Sequence, residues 1–273
     1  MNYRHAFHAG NFADLVKHAT LTEIMAWLMA RPGPLSVIDT HAGRGVYDLT
    51  GSEARKSGEA QAGIVRLMTA ADAPAEFATL ASAVKTLNGG GTVRRYPGSP
   101  WLIAQALRVG DNYLACELRP DEHAALHDLM KPKRNVRTLC ADGYGAAVAQ
   151  TPVVGQMLVL IDPPFELADD YRRIVETLTS VRRRNRDAAA LVWLPLKDLE
   201  TFDSFLRDLE DEVRAPAMVA ETRMRPLTDP SRMNGCALVL VGAPTEMAAP
   251  LESICGWTAA TLGERGEARV YSL

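Results

Sequence analysis

Apolar residues divide the chain into segments with helical spacing and short continuous runs. Between Asn11 and Ala30 they recur every three or four positions, which predicts a helix with Asn11 as its N-cap and a stop at the following RPGP. The next run, Leu35–Asp39, is too short for a helix and leads directly into THAGRG. This run therefore predicts a short buried strand.

The same alternation continues through the rest of the chain. Further strands are predicted in NYLAC, NVRTL, GQMLVLI, AALVWLPL, PAMVAETRM and GCALVLV. Helices are predicted in DEHAALHDLM, from about Asp170 to RRRNR, around 202–209, and after YPGSP, with Ser99 as N-cap and Pro100 in the first turn. Apolar strands that alternate with helices predict an α/β fold whose sheet is parallel or mostly parallel.

One segment departs from this alternation. From Gly51 to about Arg95 the chain is rich in alanine, has helical spacing and few strand formers, and ends after NGGG. We interpret residues 51–95 as a small inserted helical subdomain, with residues 1–50 and 96–273 forming the core domain.

The composition is that of a globular protein without a general affinity for polyanions. The chain has 273 residues, of which 47% are hydrophobic and 23% charged, and its formal net charge is −3. Any contact with nucleic acid must therefore come from a local basic patch. The N-terminal sequence carries charges and imidazoles where a signal peptide needs an apolar run, and no apolar run reaches bilayer length. We expect a cytoplasmic protein with no membrane partner.

No metal site is predicted. The four cysteines form no CxxC pair and are expected to be free thiols in a reducing compartment: Cys116, Cys140, Cys236 and Cys255. The histidines near the N-terminus lack a carboxylate or cysteine at a ligand spacing.

Acidic residues recur where predicted strands end. Asp39, Glu117, Asp142 and Asp162 each come at or just after the end of an apolar run. In a parallel sheet these ends meet at one edge, where open α/β folds bind their ligands. The sequence therefore predicts a ligand site at this edge.

The first two strand ends favour an adenosine-containing ligand, although each has a plainer explanation. Gly43 and Gly45 permit close backbone approach to a ligand, but their spacing differs from GxGxxG and equally fits a simple turn. Glu117 is placed to accept the ribose hydroxyls of a cofactor, although it lies much farther along than the usual ~20 residues and could instead pair with Arg119 on the surface. The inserted segment accounts for the extra distance.

The third and fourth strand ends favour a purine or another ring that carries an amino group. Asp142, with Gly143, could hold an adenine amine or form an ordinary Asx-turn. In DPPF, the Asp162 carboxylate and the Pro163 carbonyl can accept both hydrogens of an exocyclic amine, while Phe165 stacks on the ring that carries it. A proline-rich strand end with a solvated aspartate is the alternative.

Basic and aromatic residues are concentrated in two further places. The N-terminal residues Tyr3, Arg4, His5, His8, Lys17 and His18 suggest a tail that folds over a charged ligand and a nucleobase. Lys17 could also form a helix ion pair with Asp14. The run RRRNR at residues 182–186 fits a solvated helix end, and alternatively a contact with RNA phosphates.

Taken in order, YRHAFHAGNFADLVKH, DTHAGRGVYDL, YPGSP, CELRP, ADG and LIDPPFE resemble the bacterial large-subunit ribosomal RNA adenine-N6 methyltransferases of the J type. The resemblance spans nearly the whole chain. It implies a Rossmann-like methyltransferase that depends on S-adenosyl-L-methionine and carries a small helical insertion subdomain. It also implies 23S ribosomal RNA as the substrate (the adenine-2030 type), in free or early-assembly form.

The resemblance also implies roles for individual residues. Cofactor contacts are expected from His18, His41, Ser99, Glu117, Asp142 and Gly143. The catalytic group is expected to comprise Asp162, Pro163 and Phe165. Substrate contacts are expected from Tyr3, His5 and Lys17. The chain departs from the family at Phe165, where tyrosine is usual, and at VGAP, where relatives often carry Asn-Pro-Pro.

Other functions remain open at the level of sequence. A DNA adenine methyltransferase would use the same DPPF chemistry but needs a target-recognition domain, for which residues 51–95 look small. A nucleotide-dependent oxidoreductase needs a dinucleotide glycine pattern that is absent here. A non-catalytic RNA-binding module leaves the four acidic strand ends unexplained. We expect a monomer, because no long apolar surface stripe is evident.

Overall fold

In the described part of the chain, eight strands form one central sheet and two short strands pair outside it. The computed structural model describes residues 5–167, 169–228 and 233–273. The strands, in chain order, are β1 (Leu35–Asp39), β2 (Val46–Asp48), β3 (Arg95–Pro97), β4 (Asn112–Cys116), β5 (Val136–Leu139), β6 (Gln156–Ile161), β7 (Ala188–Leu196), β8 (Ala217–Arg223), β9 (Gly235–Val241) and β10 (Glu267–Ser272).

The strand order of the sheet is β5-β4-β1-β6-β7-β9-β8-β10. The first five strands in this order are parallel, whereas β9 runs antiparallel to both its neighbours and β10 antiparallel to β8. The chain moves outward on one side of β1 through β4 and β5, then returns to its other side with β6. This reversal leaves a crevice at the carboxyl ends of β1 and β6, the usual ligand position in such sheets.

Ten α-helices flank the strands in the described part of the chain. They are α1 (Phe12–Ala30), α2 (Ser52–Ser57), α3 (Arg66–Thr69), α4 (Ala78–Leu87), α5 (Ser99–Ala106), α6 (Pro120–Met130), α7 (Gly143–Gln150), α8 (Asp170–Arg184), α9 (Leu199–Val213) and α10 (Ala248–Leu262). A short 3-10 turn, His5–Phe7, precedes α1, and a π-helical turn, Gln61–Val65, precedes α3.

Two N-caps were predicted from the sequence, one for α1 and one for α5. The Asn11 side chain accepts a hydrogen bond from the Asp14 amide, so this predicted N-cap of α1 is confirmed. The prediction for α5 is wrong by one residue, because Gly98 is the cap and Ser99 is the first helical residue. With no side-chain bond to make at the helix start, the Ser99 hydroxyl turns to the buried Asp39 carboxylate instead.

The core lies on both faces of the sheet. All six residues of β6 are buried, which explains the continuous apolar run before DPPF. One apolar cluster covers one face and includes α1 and α10, and a second covers the other face and includes α8 and α9.

The segment between β2 and β3 packs on the first of these clusters. Its buried side chains, among them Ile64, Phe77 and Leu80, belong to the same cluster as Leu15 of α1 and Leu251 of α10. The division of the chain into a core and a subdomain of residues 51–95 stays a prediction. Among the described residues, no helix is long and apolar enough to cross a membrane.

Candidate active site

A cavity of about 690 Å³ opens at the carboxyl ends of the parallel strands. Its size is within the ordinary range for small-molecule sites. The predicted site residues that line it are His5, Lys17, His18, His41, Ser99, Glu117, Asp142, Gly143, Asp162, Pro163 and Phe165. Tyr3 lies outside the described residues. The fold therefore gathers every described candidate into one place.

Asp39, at the end of β1, fixes the floor of the cavity. Its carboxylate is fully buried and accepts hydrogen bonds from the Ser99 hydroxyl (2.7 Å), the Tyr113 hydroxyl (3.2 Å) and the His41 amide (3.2 Å). Burial raises its pKa to about 6, although the bonds from Ser99 and His41 oppose this shift. Asp39 therefore holds the turn after β1 in shape and is itself closed to a ligand.

Glu117 faces the glycine turn from the end of β4. One oxygen accepts the Gly43 amide at 2.9 Å and the other accepts the Arg119 amide at 2.8 Å. Gly43 has a φ of 62°, and a Cβ there would lie 2.1 Å from the Tyr47 hydroxyl oxygen. Only glycine fits this turn, and each Glu117 oxygen keeps a lone pair for a diol.

Asp142 caps the helix that begins beside the cavity. One oxygen accepts the Gly145 amide at 3.0 Å, and the other accepts from the Arg173 guanidinium at 2.8 Å. Arg173 also lies over the Tyr144 ring, 4.4 Å from its centroid. The capping explanation for Asp142 therefore applies, and the residue also lines the cavity. A Cβ at Gly143 would lie 1.9 Å from the Thr40 carbonyl oxygen, so α7 and the end of β1 approach closely only because of this glycine.

Two histidines of the site, the buried His18 and the half-buried His41, have lowered pKa values. Burial lowers the pKa of His18 to about 3, and the nearby Lys17 charge lowers it further. Its Nδ1 lies 2.8 Å from the Tyr96 hydroxyl. Burial also lowers the pKa of His41 to about 4, and its ring packs edge-on against Tyr144 at 4.9 Å. Near neutral pH both rings can therefore present an uncharged polar edge to a ligand.

Lys17 joins the N-terminal helix to the DPPF turn. Its ammonium lies 3.0 Å from Asp14 and also contacts the Asp162 carboxylate directly. Burial lowers the pKa of Lys17, but the charges of Asp14 and Asp162 outweigh burial and hold it well above its usual value. The helix ion pair with Asp14 is thus present, together with a second pair that spans the cavity wall.

The DPPF turn presents a carboxylate, a carbonyl and an aromatic ring. No hydrogen bond from the described residues reaches the Pro163 carbonyl. Phe165 has a φ of 50°, a strained value for a residue with a side chain, and its ring lies 4.9 Å from Tyr171 and 5.9 Å from Trp193. Two neighbouring rings thus hold Phe165 in place at the cavity wall.

Sequence reasoning missed several residues that shape this site. They are Asp14, Tyr47, Glu59, Tyr96, Tyr113, Arg173 and Trp193. Tyr47 sits in GVYDL directly after the glycine turn, where an aromatic next to a predicted site is a usable signal. Asp14 was expected only as a helix ion-pair partner of Lys17, three residues away. The remaining residues lie far along the chain from their partners and carry no local signal of their own.

The residues at this edge fit S-adenosyl-L-methionine, the cofactor that the sequence implies. An acid beside a glycine turn suits a ribose, and a further acid at the next strand end suits an adenine. No group of three or more potential metal ligands occurs in residues 5–167, 169–228 and 233–273. This sheet order together with this site defines the class of Rossmann-like methyltransferases.

Comparison with known proteins identifies the family. The family model described as RsmJ, Ribosomal RNA large subunit methyltransferase D, RlmJ, matches residues 32–272. The chain belongs to this family. Ribosomal RNA large subunit methyltransferase J of Haemophilus influenzae is 32% identical over 268 residues, covering 97% of this chain and 95% of that protein. Its counterpart in Escherichia coli is 31% identical over 258 residues, covering 94% and 92%.

A solved structure agrees with this assignment. The crystal structure of protein LPL1258 from Legionella pneumophila has a TM-score of 0.86 at 28% identity and covers 97% of this chain and 98% of its own. The predicted resemblance, the Rossmann-like fold and the enzyme class are therefore confirmed. S-adenosyl-L-methionine is the methyl donor that goes with this class.

Proposed function

We propose that this protein transfers a methyl group from S-adenosyl-L-methionine to the N6 amine of an adenine in 23S ribosomal RNA. The observation that carries the proposal is the DPPF turn, where the Asp162 carboxylate and a Pro163 carbonyl without a described partner line the same cavity as Glu117. The relatives from Haemophilus influenzae and Escherichia coli are named as ribosomal RNA methyltransferases, which supports an RNA substrate.

The cofactor half of the cavity is built from the first three strand ends. Glu117 accepts the ribose hydroxyls, and Asp142 accepts the adenine amine. The buried Ser99 and the neutral His18 and His41 line the rest of this half and add no cation beside a cationic donor. The bound cofactor supplies an electrophilic methyl group on a sulfonium.

The substrate half is built from the DPPF turn and the N-terminal segment. Asp162 and Pro163 each accept one hydrogen of the target amine, which aligns its nitrogen and draws it toward a tetrahedral shape. Phe165 stacks on the flipped base and offsets part of the unstacking cost of a few kcal/mol. His5 and Tyr3 contact the base or its sugar from the N-terminal side.

Lys17 leaves one oxygen of the Asp162 carboxylate available to the substrate. Its ammonium occupies one carboxylate oxygen and leaves the other for the amine. The other oxygen accepts a hydrogen bond from the amine and orients it first. Proton transfer follows late, once the methylated nitrogen has become strongly acidic. Such general-base help contributes about 10²–10⁴ in rate.

The proposal also includes a compartment, an oligomeric state and a state of the RNA. The protein acts in the cytoplasm as a monomer, on 23S ribosomal RNA that is free or at an early stage of assembly. A free strand is the better substrate because the target base must leave its stack to reach the bottom of the cavity.

Substitution of Asp162 tests the proposal directly. We expect Asp162→Ala to bind S-adenosyl-L-methionine as the wild type does and to lose transfer to naked 23S ribosomal RNA by about 10²-fold or more. Calorimetry measures the binding, and incorporation of labelled methyl groups measures the transfer. Asp162→Asn serves as the matched variant, because its amide can accept only one of the bonds and cannot take the proton.

Two results contradict the proposal. Near-normal turnover in Asp162→Ala removes the proposed role of the carboxylate. Transfer by the wild type to DNA but not to ribosomal RNA replaces the proposed substrate. Digestion of the RNA product and mass analysis of its nucleosides identify N6-methyladenosine as the expected product.

A further inference from the structure

Glu59, on the segment between β2 and β3, contacts the turn that precedes α1. His8 Nδ1 lies 3.0 Å from both Glu59 oxygens, and Asn11 Nδ2 donates to one of them at 2.9 Å. The hydrogen bond to Glu59 raises the pKa of His8, although partial burial opposes this shift. Contacts from His8 and Asn11 to one carboxylate therefore join residues 51–95 to the N-terminal segment.

A close backbone contact lies beside this pair. The Ile64 amide donates to the Gly10 carbonyl at 2.8 Å. A Cβ at Gly63 would lie 2.2 Å from that same carbonyl oxygen, and a Cβ at Gly10, whose φ is 78°, would lie 2.8 Å from Ile64 Cγ2. The two backbones meet only because both positions are glycine.

The turn before α1 that Glu59 contacts is also hydrogen-bonded to the groups around Asp162. The Gly10 amide donates to Asp14 at 2.9 Å, and the Asp14 amide donates to the Asn11 side chain at 3.0 Å. Asp14 in turn lies 3.0 Å from both His5 Nε2 and Lys17 Nζ. A continuous series of polar contacts therefore runs from Glu59 to the Lys17 ammonium that holds Asp162.

We propose that residues 51–95 act as a clamp that positions the N-terminal segment over the active site, with Glu59 as the positioning residue. A single 3-10 turn does not hold a fixed geometry by itself. Glu59 holds the turn through His8, before Gly10, and Asn11, after it. His5 and Lys17 therefore meet the substrate in one arrangement. This inference rests on the methyl transfer proposed above, because it assigns a positioning role in that reaction.

The clamp predicts a selective effect on turnover. We expect Glu59→Ala to lower kcat about ten- to hundredfold, because a small misplacement of reacting groups costs rate without costing binding. The KM for 23S ribosomal RNA and the Kd for S-adenosyl-L-methionine should stay within about twofold of wild type. Asp72→Asn is the matched control, since it removes an exposed carboxylate from the same segment.

A second measurement needs no substrate or cofactor. Hydrogen–deuterium exchange of the amides in residues 5–11 should be faster in Glu59→Ala than in the wild type and in Asp72→Asn. His8→Asn, which keeps a donor near the Nδ1 position, should restore most of the protection that His8→Ala loses.

The outcomes separate the clamp from the proposed function. An active wild type with an unchanged kcat in Glu59→Ala overturns the clamp alone. A raised KM for RNA with an unchanged kcat also overturns it, since the segment would then serve RNA binding. A wild type that transfers no methyl group to ribosomal RNA overturns the proposed function, and unaltered exchange in residues 5–11 overturns the clamp independently. If Glu59→Ala does not fold, Glu59→Gln decides by the same two readouts.

Discussion

Four acidic residues that look alike in the sequence differ in what surrounds them. Asp39 is buried under three donors, Glu117 and Asp142 are fixed by backbone amides, and Asp162 pairs with a lysine. The two that accept only amide and hydroxyl donors, Asp39 and Glu117, have a raised pKa because burial outweighs their hydrogen bonds. An acid at a strand end is therefore a readable signal, but its chemistry depends on partners from elsewhere.

Asp39 gives a prediction about stability and pH. Its pKa is about 6 in the folded protein and near 3.8 when unfolded, so between these values the folded state binds more protons. Stability must then fall as pH rises through this window, and this contribution is absent in Asp39→Asn. We expect the free energy of unfolding of the wild type, minus that of Asp39→Asn, to decrease between pH 4 and pH 6. Urea titrations at several pH values measure it, and a difference that rises with pH contradicts the raised pKa.

At the residue scale, sequence reasoning could find the acids but not their partners. Asp162, Glu117 and Asp142 follow apolar runs, so their position at the sheet edge follows from local sequence. Lys17 lies 145 residues before Asp162, and only the fold shows that the two are paired. His8 and Glu59 are 51 residues apart, and neither carries a local sign of its partner.

At the scale of elements, the alternation of apolar runs predicted the parallel half of the sheet well. Parallel strands buried on both faces leave continuous apolar runs, as in β6. The edge strand β10 went unpredicted because its sequence, EARVYS, is short and half polar and none of its residues is buried. The pair formed by β2 and β3 is three residues long on each side, which is too short to give a period.

The contact between α7 and β1 gives a prediction at this scale. Gly143→Ala places a Cβ against the Thr40 carbonyl, which belongs to rigid backbone, so we expect a loss of about 1–3 kcal/mol in the free energy of unfolding. Gly256→Ala is the matched control, since Gly256 lies inside α10 with open space around it. That control should gain about 0.5–1 kcal/mol from helix propensity. Urea unfolding of both variants measures the two effects. If both substitutions change the free energy of unfolding in the same direction, the close approach of α7 to β1 is contradicted.

At the scale of the whole molecule, the overall charge hides an uneven distribution. The net charge of −3 gives no general attraction to RNA. Lys197 and Arg225 line the cavity on the antiparallel side of the sheet. Arg183 and Arg184 are exposed at the last turn of α8, which leaves the cavity edge after β6 and ends at the opposite edge, where β7 begins. Two groups of cations therefore stand at opposite ends of the strands.

The two pairs of cations can be removed separately in two double variants that lose the same charge. A base held by DPPF brings its flanking phosphates to the cavity mouth, so Lys197→Ala/Arg225→Ala should raise the KM for 23S ribosomal RNA. It should also lower the slope of log affinity against log salt by about 1.4, since each contact with a single strand contributes about 0.7. Arg183→Ala/Arg184→Ala removes the same charge from the far edge and should change neither quantity. If the far-edge variant loses the larger part of the salt dependence, the RNA crosses the amino edge of the sheet, and RRRNR is the contact rather than a solvated helix end.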